Sequence, residues 1–143
     1  MIRPLQIKDI DIIVQLEEEI FGETLGKEML ENELNNPLVW FRVLEIDNQV
    51  IGYIGGYFYL EDGEILNFLI DKSKQHQGYG TILFESILQE ARQKGIKKVT
   101  LEVRESNSNA ISFYTKFGFS KISIRKHYYQ NGDNAIVMIK ENI

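Results

Sequence analysis

The stretch Asn67-Phe-Leu-Ile-Asp-Lys-Ser-Lys-Gln-His-Gln-Gly-Tyr-Gly-Thr81 constrains the fold more than any other. It opens as an apolar strand and crosses a short polar link to Gly78 and Gly80. It then enters Thr81-Ile-Leu-Phe-Glu-Ser-Ile-Leu-Gln-Glu-Ala91, where apolar residues recur at helical spacing. A helix over about 79–94 turns Leu83, Ile87, Leu88 and Ala91 towards a sheet, and Gly95 closes it. Ile96–Arg104 reads as the next strand. Strand, helix and strand of this length make a right-handed parallel crossover. The junction has a second meaning. The first N–H groups of a helix lack partners, the helix dipole adds positive charge there, and glycine lets backbone close around an anion. Residues 75–81 therefore either cradle a pyrophosphate or only turn the chain, and a Gly-x-Gly pair alone does not decide between the two.

The rest of the chain supplies more strands and three more helices. Residues 2–7 suit a short strand. Asp9 offers an N-cap to a helix over Ile10–Phe21, with Ile13, Leu16 and Ile20 on one face and Glu17, Glu18 and Glu19 on a solvated one. Lys27–Asn35 suits a second helix with Met29, Leu30 and Leu34 inward, ended by Asn36-Pro37. Val39–Glu45 and Gln49–Tyr59 form a hairpin about Asp47-Asn48. Gly52, Gly55 and Gly56 inside its second strand mark a bend, a bulge or a close backbone approach. Glu64–Ile70 is a central strand. After Arg104, Ser106-Asn-Ser-Asn leads into a helix over Ala110–Phe117, closed by Gly118. Phe119–Tyr129 and Asn134–Lys140 are the last extended runs, with a turn signal at Asn131-Gly132.

At 143 residues, the chain suits one domain, residues 1–143. It has no cysteine, which removes disulfides, thiolate metal sites and a cysteine nucleophile. Its two histidines, His76 and His127, lie far apart, and no cluster has metal-ligand spacing, so no metal is expected. A net charge of -5 argues against binding nucleic acid through its backbone. No apolar run is long enough for a bilayer and the N-terminus lacks a signal pattern, so a cytoplasmic location and no membrane partner are expected.

Three pieces then occur in order: Gln75-His-Gln-Gly-Tyr-Gly80, Leu101-Glu-Val-Arg-Glu-Ser-Asn107 and Ala110-Ile-Ser-Phe-Tyr-Thr-Lys-Phe-Gly-Phe119. Together they resemble the GCN5-related N-acetyltransferase (GNAT) superfamily across essentially the whole chain. Glu64-Ile-Leu-Asn-Phe, Leu101-Glu-Val-Arg-x-Ser-Asn, and Arg125-Lys-His-Tyr-Tyr129 followed by Asn134-Ala-Ile-Val-Met138 narrow the likeness. They are similar to RimI-type ribosomal-protein alanine N-acetyltransferases. The resemblance implies an α/β (α+β) GNAT fold, a mixed, mostly antiparallel seven-stranded sheet flanked by about four helices. It implies a monomer that uses acetyl-CoA to acetylate the N-terminal alanine of a protein, a small-subunit ribosomal protein. Acetylation of a lysine or a small amine, or acetyl-CoA binding without catalysis, are the alternatives.

The same resemblance distributes roles. Phe68, Leu69 and Ile70 would pair their backbone with the pantetheine arm, and an N–H near Leu69 or Ile70 would polarise the thioester carbonyl. Gln75, His76, Gln77, Gly78, Tyr79, Gly80 and Thr81 would hold the pyrophosphate. His76 stands where the family has a fixed cation, with Lys72 and Lys74 as substitutes. Asn107 would contact CoA, although its context equally suits a helix cap. Glu102 would take the amine's proton. Alternation sets Thr100, Glu102 and Arg104 opposite Val99, Leu101 and Val103, and a helix over that face would bury Glu102 and raise its pKa; otherwise Glu102 pairs with Arg104 or a lysine at the surface. Tyr114 would reprotonate the leaving thiolate, or else is a core tyrosine beside Phe113, Phe117 and Phe119. Tyr128 and Tyr129 would contact substrate or pack as edge aromatics. Trp40, Phe41 and the loop at 22–27 would wall the peptide groove.

Overall fold

The crossover sits at the centre of the sheet. In the computed structural model, which describes residues 1–143, the chain runs β1 (Ile2–Pro4), α1 (Ile10–Phe21), α2 (Lys27–Glu33), β2 (Val39–Ile46), β3 (Gln49–Tyr59), β4 (Asp62–Ile70), α3 (Tyr79–Gln93), β5 (Lys98–Arg104), α4 (Ser108–Lys116), β6 (Ser120–Arg125) and β7 (Ala135–Glu141). The seven strands form one sheet in the order β1-β2-β3-β4-β5-β7-β6. Only β4 and β5 run parallel, as the crossover requires. All other neighbours are antiparallel. This is the mixed, mostly antiparallel sheet with four helices that the sequence implies.

Each face carries its own core. On one, Leu83, Phe84, Ile87, Leu88 and Ala91 of α3 pack on Ile54, Ile65, Val99, Leu101 and Met138. On the other, Ile10, Ile13 and Leu16 of α1 and Leu30 of α2 pack on Phe41, Val43, Tyr53 and Leu69. Removing this much apolar area from water is the main force holding the layers together. Trp40 and Phe41 are core residues, 5% and 4% exposed, on opposite faces of β2, so they do not wall a groove.

Several expected boundaries move. The first strand stops at Pro4, and α2 stops at Glu33. Asp9 does not cap α1 with its side chain. Its carboxylate instead accepts from both terminal guanidinium nitrogens of Arg3, at 2.7 and 2.9 Å, and from the Gln6 N–H at 2.8 Å. A buried carboxylate beside a guanidinium gains more from two charge-assisted bonds than from one cap. Helix α4 begins at Ser108, before Ala110, because Asn107 Oδ1 accepts from the Ala110 N–H at 3.1 Å. The last hairpin is looser than expected. Strand β6 ends at Arg125, and residues 126–134 form a loop.

The middle of the sheet is pried open by one extra residue. In the β3–β4 ladder Gly55 faces Asn67 and Gly56 faces Ile65, which leaves Leu66 as a bulge. Both glycines are needed there. A Cβ on Gly56 would lie 2.1 Å from the Glu64 carbonyl oxygen, and one on Gly55 2.3 Å from the Phe41 ring. The β4–β5 ladder ends at Ile65 opposite Leu101. Beyond it β5 stays paired with β7, while β4 continues alongside β3. The two central strands therefore diverge, and the last residues of β4 present an open edge.

Candidate active site

The open edge of β4 has a defined hydrogen-bonding face. Asp71 donates its N–H to Ile51 O of β3, so alternation turns the Leu69 N–H towards β3 as well. The N–H and C=O groups of Phe68 and Ile70 then face the divergence. Gln75 confirms the direction: its Nε2 reaches Ile70 O from the loop at 2.9 Å. Of the two expected carbonyl-polarising donors, Ile70 N–H is the one on the open side.

The glycine loop follows at once. A turn at Lys72–Lys74 is held by Asp71 Oδ1, which accepts from the Ser73 N–H and hydroxyl. His76 and Gly78 both have left-handed backbone, φ 63° and 86°, and Gly78 is the residue from which α3 starts. Histidine tolerates this region better than most side chains. Gly78 is required by its φ rather than by space, since a Cβ there meets nothing within 4 Å. The unpaired N–H groups of α3's first turn are thus presented next to the strand opening.

The register of the ladders gathers a polar cluster on the face that α1 and α2 share. Tyr57 faces Glu64, Glu64 faces Thr100, and Glu102 and Arg104 follow on the same side of β5. Tyr57 donates its hydroxyl to Glu64. Of the two arrangements left open for Glu102, helix cover is not the one found, because α1 and α2 pack over β2–β4. Its side chain is 19% exposed and pairs with Arg125 Nε at 3.2 Å rather than with Arg104. Tyr128 lies against Glu102, whose negative charge raises the Tyr128 pKa. Arg104 stacks on the Tyr129 ring, 4.1 Å from its centre, and bonds Glu23 at 2.9 Å and Asp133 at 3.4 Å. It therefore joins the loop after α1 to the loop after β6. The Tyr128 and Tyr129 rings meet edge to face at 5.2 Å.

Tyr114 projects from α4 into the other core, 8% exposed. Its ring lies among Phe68, Phe84, Phe113 and Phe119. Burial first, and the neighbouring Tyr129 second, push its pKa well above the ordinary tyrosine value. The hydroxyl therefore keeps its proton at neutral pH. The structure shows a core tyrosine that retains its proton.

The sequence misplaced Glu17. It is fully buried, whereas Glu18 and Glu19 are exposed. Its carboxylate accepts from Thr24 Oγ1 at 2.8 Å, from Asn67 Nδ2 and, at 3.5 Å, from the Tyr53 hydroxyl. A signal was available, because position 17 falls four residues after Ile13 and three before Ile20, on the apolar stripe. Burial raises its pKa above the ordinary glutamate value of 4.5, its hydrogen bonds only partly opposing this. A carboxyl that binds its proton more tightly when folded stabilises the fold below the unfolded pKa, and that contribution is lost as pH rises through the folded one. Stability should therefore fall as pH climbs above 4.5 through the Glu17 transition. Glu17→Gln should remove this fall, as measured by thermal unfolding at a series of pH values. Asp9 acts in a separate window. Its hydrogen bonds with Arg3 lower its pKa, and its contribution is lost only as pH drops through a value below 3.8.

The family profile described as Acetyltransferase (GNAT) family matches residues 10–119, from α1 through the end of α4. The chain belongs to the GNAT acetyltransferase family. It is accordingly an N-acetyltransferase, and its likeness to the RimI-type members extends over nearly all of its length. A Bacillus subtilis protein, provisionally named a [ribosomal protein bS18]-alanine N-acetyltransferase, is 34% identical over 139 residues, covering 96% of this chain and 92% of that one. Among solved structures, Ard1 from Thermoplasma volcanium superposes with a TM-score of 0.92 at 28% identity, over 100% of this chain and 97% of that chain. The ribosomal-protein-S18-alanine N-acetyltransferase of Escherichia coli superposes with a TM-score of 0.91 at 24% identity, over 99% and 93%. Both share the fold of this chain.

Proposed function

We propose that this GNAT enzyme transfers the acetyl group of acetyl-CoA directly to the α-amine of a protein beginning with alanine, a small-subunit ribosomal protein, in a ternary complex. The observation that carries the reading is the divergence of β4 from β5. It leaves a strand edge beside a glycine-headed helix start, with Glu102 on the facing strand.

The residues suit such a donor. The N–H groups around 76–81 cradle the pyrophosphate at the head of α3. The open backbone of Phe68 and Ile70 pairs with the extended pantetheine arm. Asn107 uses Oδ1 as a cap, so its contact with CoA is left to Nδ2. Ile70 N–H is aimed at the thioester oxygen and stabilises charge as it develops there. Glu102 accepts the proton of the attacking amine. Its partner Arg125 is 57% exposed, so that ion pair is open to solvent and can yield. Tyr114 returns a proton to the thiolate, for which a hydroxyl that stays protonated is suited. Tyr128 and Tyr129, set by Arg125 and Arg104, line the acceptor side. Direct transfer needs no acyl-enzyme, and no cysteine is present to form one. A ribosomal acceptor would place the reaction in the cytoplasm.

The test is a two-substrate rate study with acetyl-CoA and an alanine-starting peptide. Intersecting reciprocal plots are expected. Parallel plots, the mark of a covalent intermediate, would refute direct transfer.

A further inference from the structure

Arg104 ends β5 on the same side of the strand as Glu102, and its side chain joins parts of the chain that are far apart in sequence. Nη2 donates to Glu23 at 2.9 Å, in the loop after α1. Nη1 donates to Asn131 Oδ1 at 3.2 Å and to Asp133 Oδ2 at 3.4 Å, in the loop after β6. The guanidinium lies over the Tyr129 ring. The two loops share no backbone hydrogen bond. Arginine suits this junction because its planar head offers a fork of donors and a stacking face at once.

The loop after β6 is braced where Arg104 grips it. Asn131 Nδ2 donates to Asp133 Oδ2 at 3.0 Å, and Asn131 Oδ1 accepts from the Asp133 N–H at 3.0 Å. Gly132 N–H donates to Tyr129 O at 2.9 Å, and Tyr129 N–H to Asp133 O at 3.2 Å. Holding Asn131 and Asp133 therefore also holds the Tyr129 backbone, while the guanidinium holds its ring. Tyr129 passes that position on. Its ring meets Tyr128 edge to face, and Tyr128 lies against Glu102.

We propose that Arg104 is a positioning residue for the acceptor, which clasps the two loops together and sets Tyr129 and Tyr128 beside Glu102. This rests on the reading of Tyr128 and Tyr129 as the acceptor side given above. Arg104 acts through the loops and the tyrosine rings, not on the reacting atoms. Its loss loosens the wall that the acceptor chain meets and leaves the donor half of the site, at β4 and the head of α3, unchanged.

The experiment compares wild type, Arg104→Gln, Arg104→Lys, Glu23→Gln, and the pair Arg104→Gln with Glu23→Gln. Two readouts are taken. One is amide hydrogen exchange at Tyr129 and Gly132, which does not depend on activity. The other is kcat and KM for an alanine-starting peptide, with the acetyl-CoA dissociation constant. Arg104→Gln should speed exchange at both amides by about tenfold. It should raise the peptide KM by about tenfold while kcat stays within about twofold, the mark of lost acceptor binding rather than lost chemistry. The acetyl-CoA dissociation constant should not move. Arg104→Lys keeps the charge but neither the fork nor the face, so it should resemble Arg104→Gln. Glu23→Gln lies in the other loop, yet it should speed exchange at Gly132, and it should add nothing in the Arg104→Gln background. Unchanged exchange and KM in a folded Arg104→Gln protein would overturn the proposal. So would a fall in kcat with KM unchanged, or a Glu23→Gln effect that persists without Arg104. If Arg104→Gln fails to fold, Glu23→Gln decides: unchanged exchange at Gly132 would overturn the clasp. Should wild type transfer no acetyl group, the proposed function falls on its own, while exchange still decides whether Arg104 couples the two loops.

Discussion

Tyr114→Phe should lower turnover by about a hundredfold, in the range general acid catalysis supplies, while leaving the fold and acetyl-CoA binding intact. The ring is held by Phe84, Phe113 and Phe119, and phenylalanine keeps all of that contact. Only the hydroxyl goes, the group proposed to return a proton to the leaving thiolate. Burial has pushed that proton's pKa well above the ordinary tyrosine value, so the acid is present across the whole accessible pH range. The loss should therefore be the same at pH 6 and pH 9 when kcat is measured against wild type. Glu102→Gln makes a useful contrast. It removes the proposed proton acceptor, so its loss should be of similar size but should also change the pH profile. Wild-type turnover in Tyr114→Phe would remove that residue from the chemistry and leave it a core tyrosine.

Gly56→Ala should destabilise the fold by about 3 kcal/mol or more, since overpacking against rigid groups costs more than against a side chain that can move. The added methyl would meet the Glu64 carbonyl oxygen at 2.1 Å and the Trp40 ring at 2.8 Å. Relief requires β3 and β4 to separate at the bulge that opens the active site. For a domain whose whole stability is about 5–15 kcal/mol, thermal unfolding should show a large drop in melting temperature. Gly78→Ala is the control. It has room for the methyl, and its cost is the left-handed backbone alone, about 1 kcal/mol. Equal melting temperatures for the two variants would show that the bulge tolerates a side chain, contrary to the account of why it forms.

What was legible in the sequence follows from which forces are local. The central crossover, the Gly95 stop, the Asn107 cap and the alternation of Val99, Leu101 and Val103 depend on neighbours within a few residues, and each appears as expected. The glycines of β3 were recognisable as a bulge or a close approach, and they are both. The extra residue itself, Leu66, lies on the partner strand and has no local mark. The polar cluster was less legible because it depends on register. Tyr57 meets Glu64, and Arg104 reaches Glu23 and Asp133, only after four strands are aligned. Whether a helix covers Glu102 could not be read from strand alternation alone; α1 and α2 cover β2–β4, and Glu102 pairs with Arg125 instead. Glu17 was lost to a composition habit: three consecutive glutamates look solvated, although one of them sits on the apolar stripe.

The most direct test of the central claim uses one peptide that begins with alanine and carries an internal lysine, mixed with a polyamine. The mixture is incubated with enzyme and isotope-labelled acetyl-CoA, and the label is located by tandem mass spectrometry. The account predicts the label on the peptide's α-amine. Label found only on the lysine or the polyamine, or on no acceptor at all while acetyl-CoA binds, would contradict it.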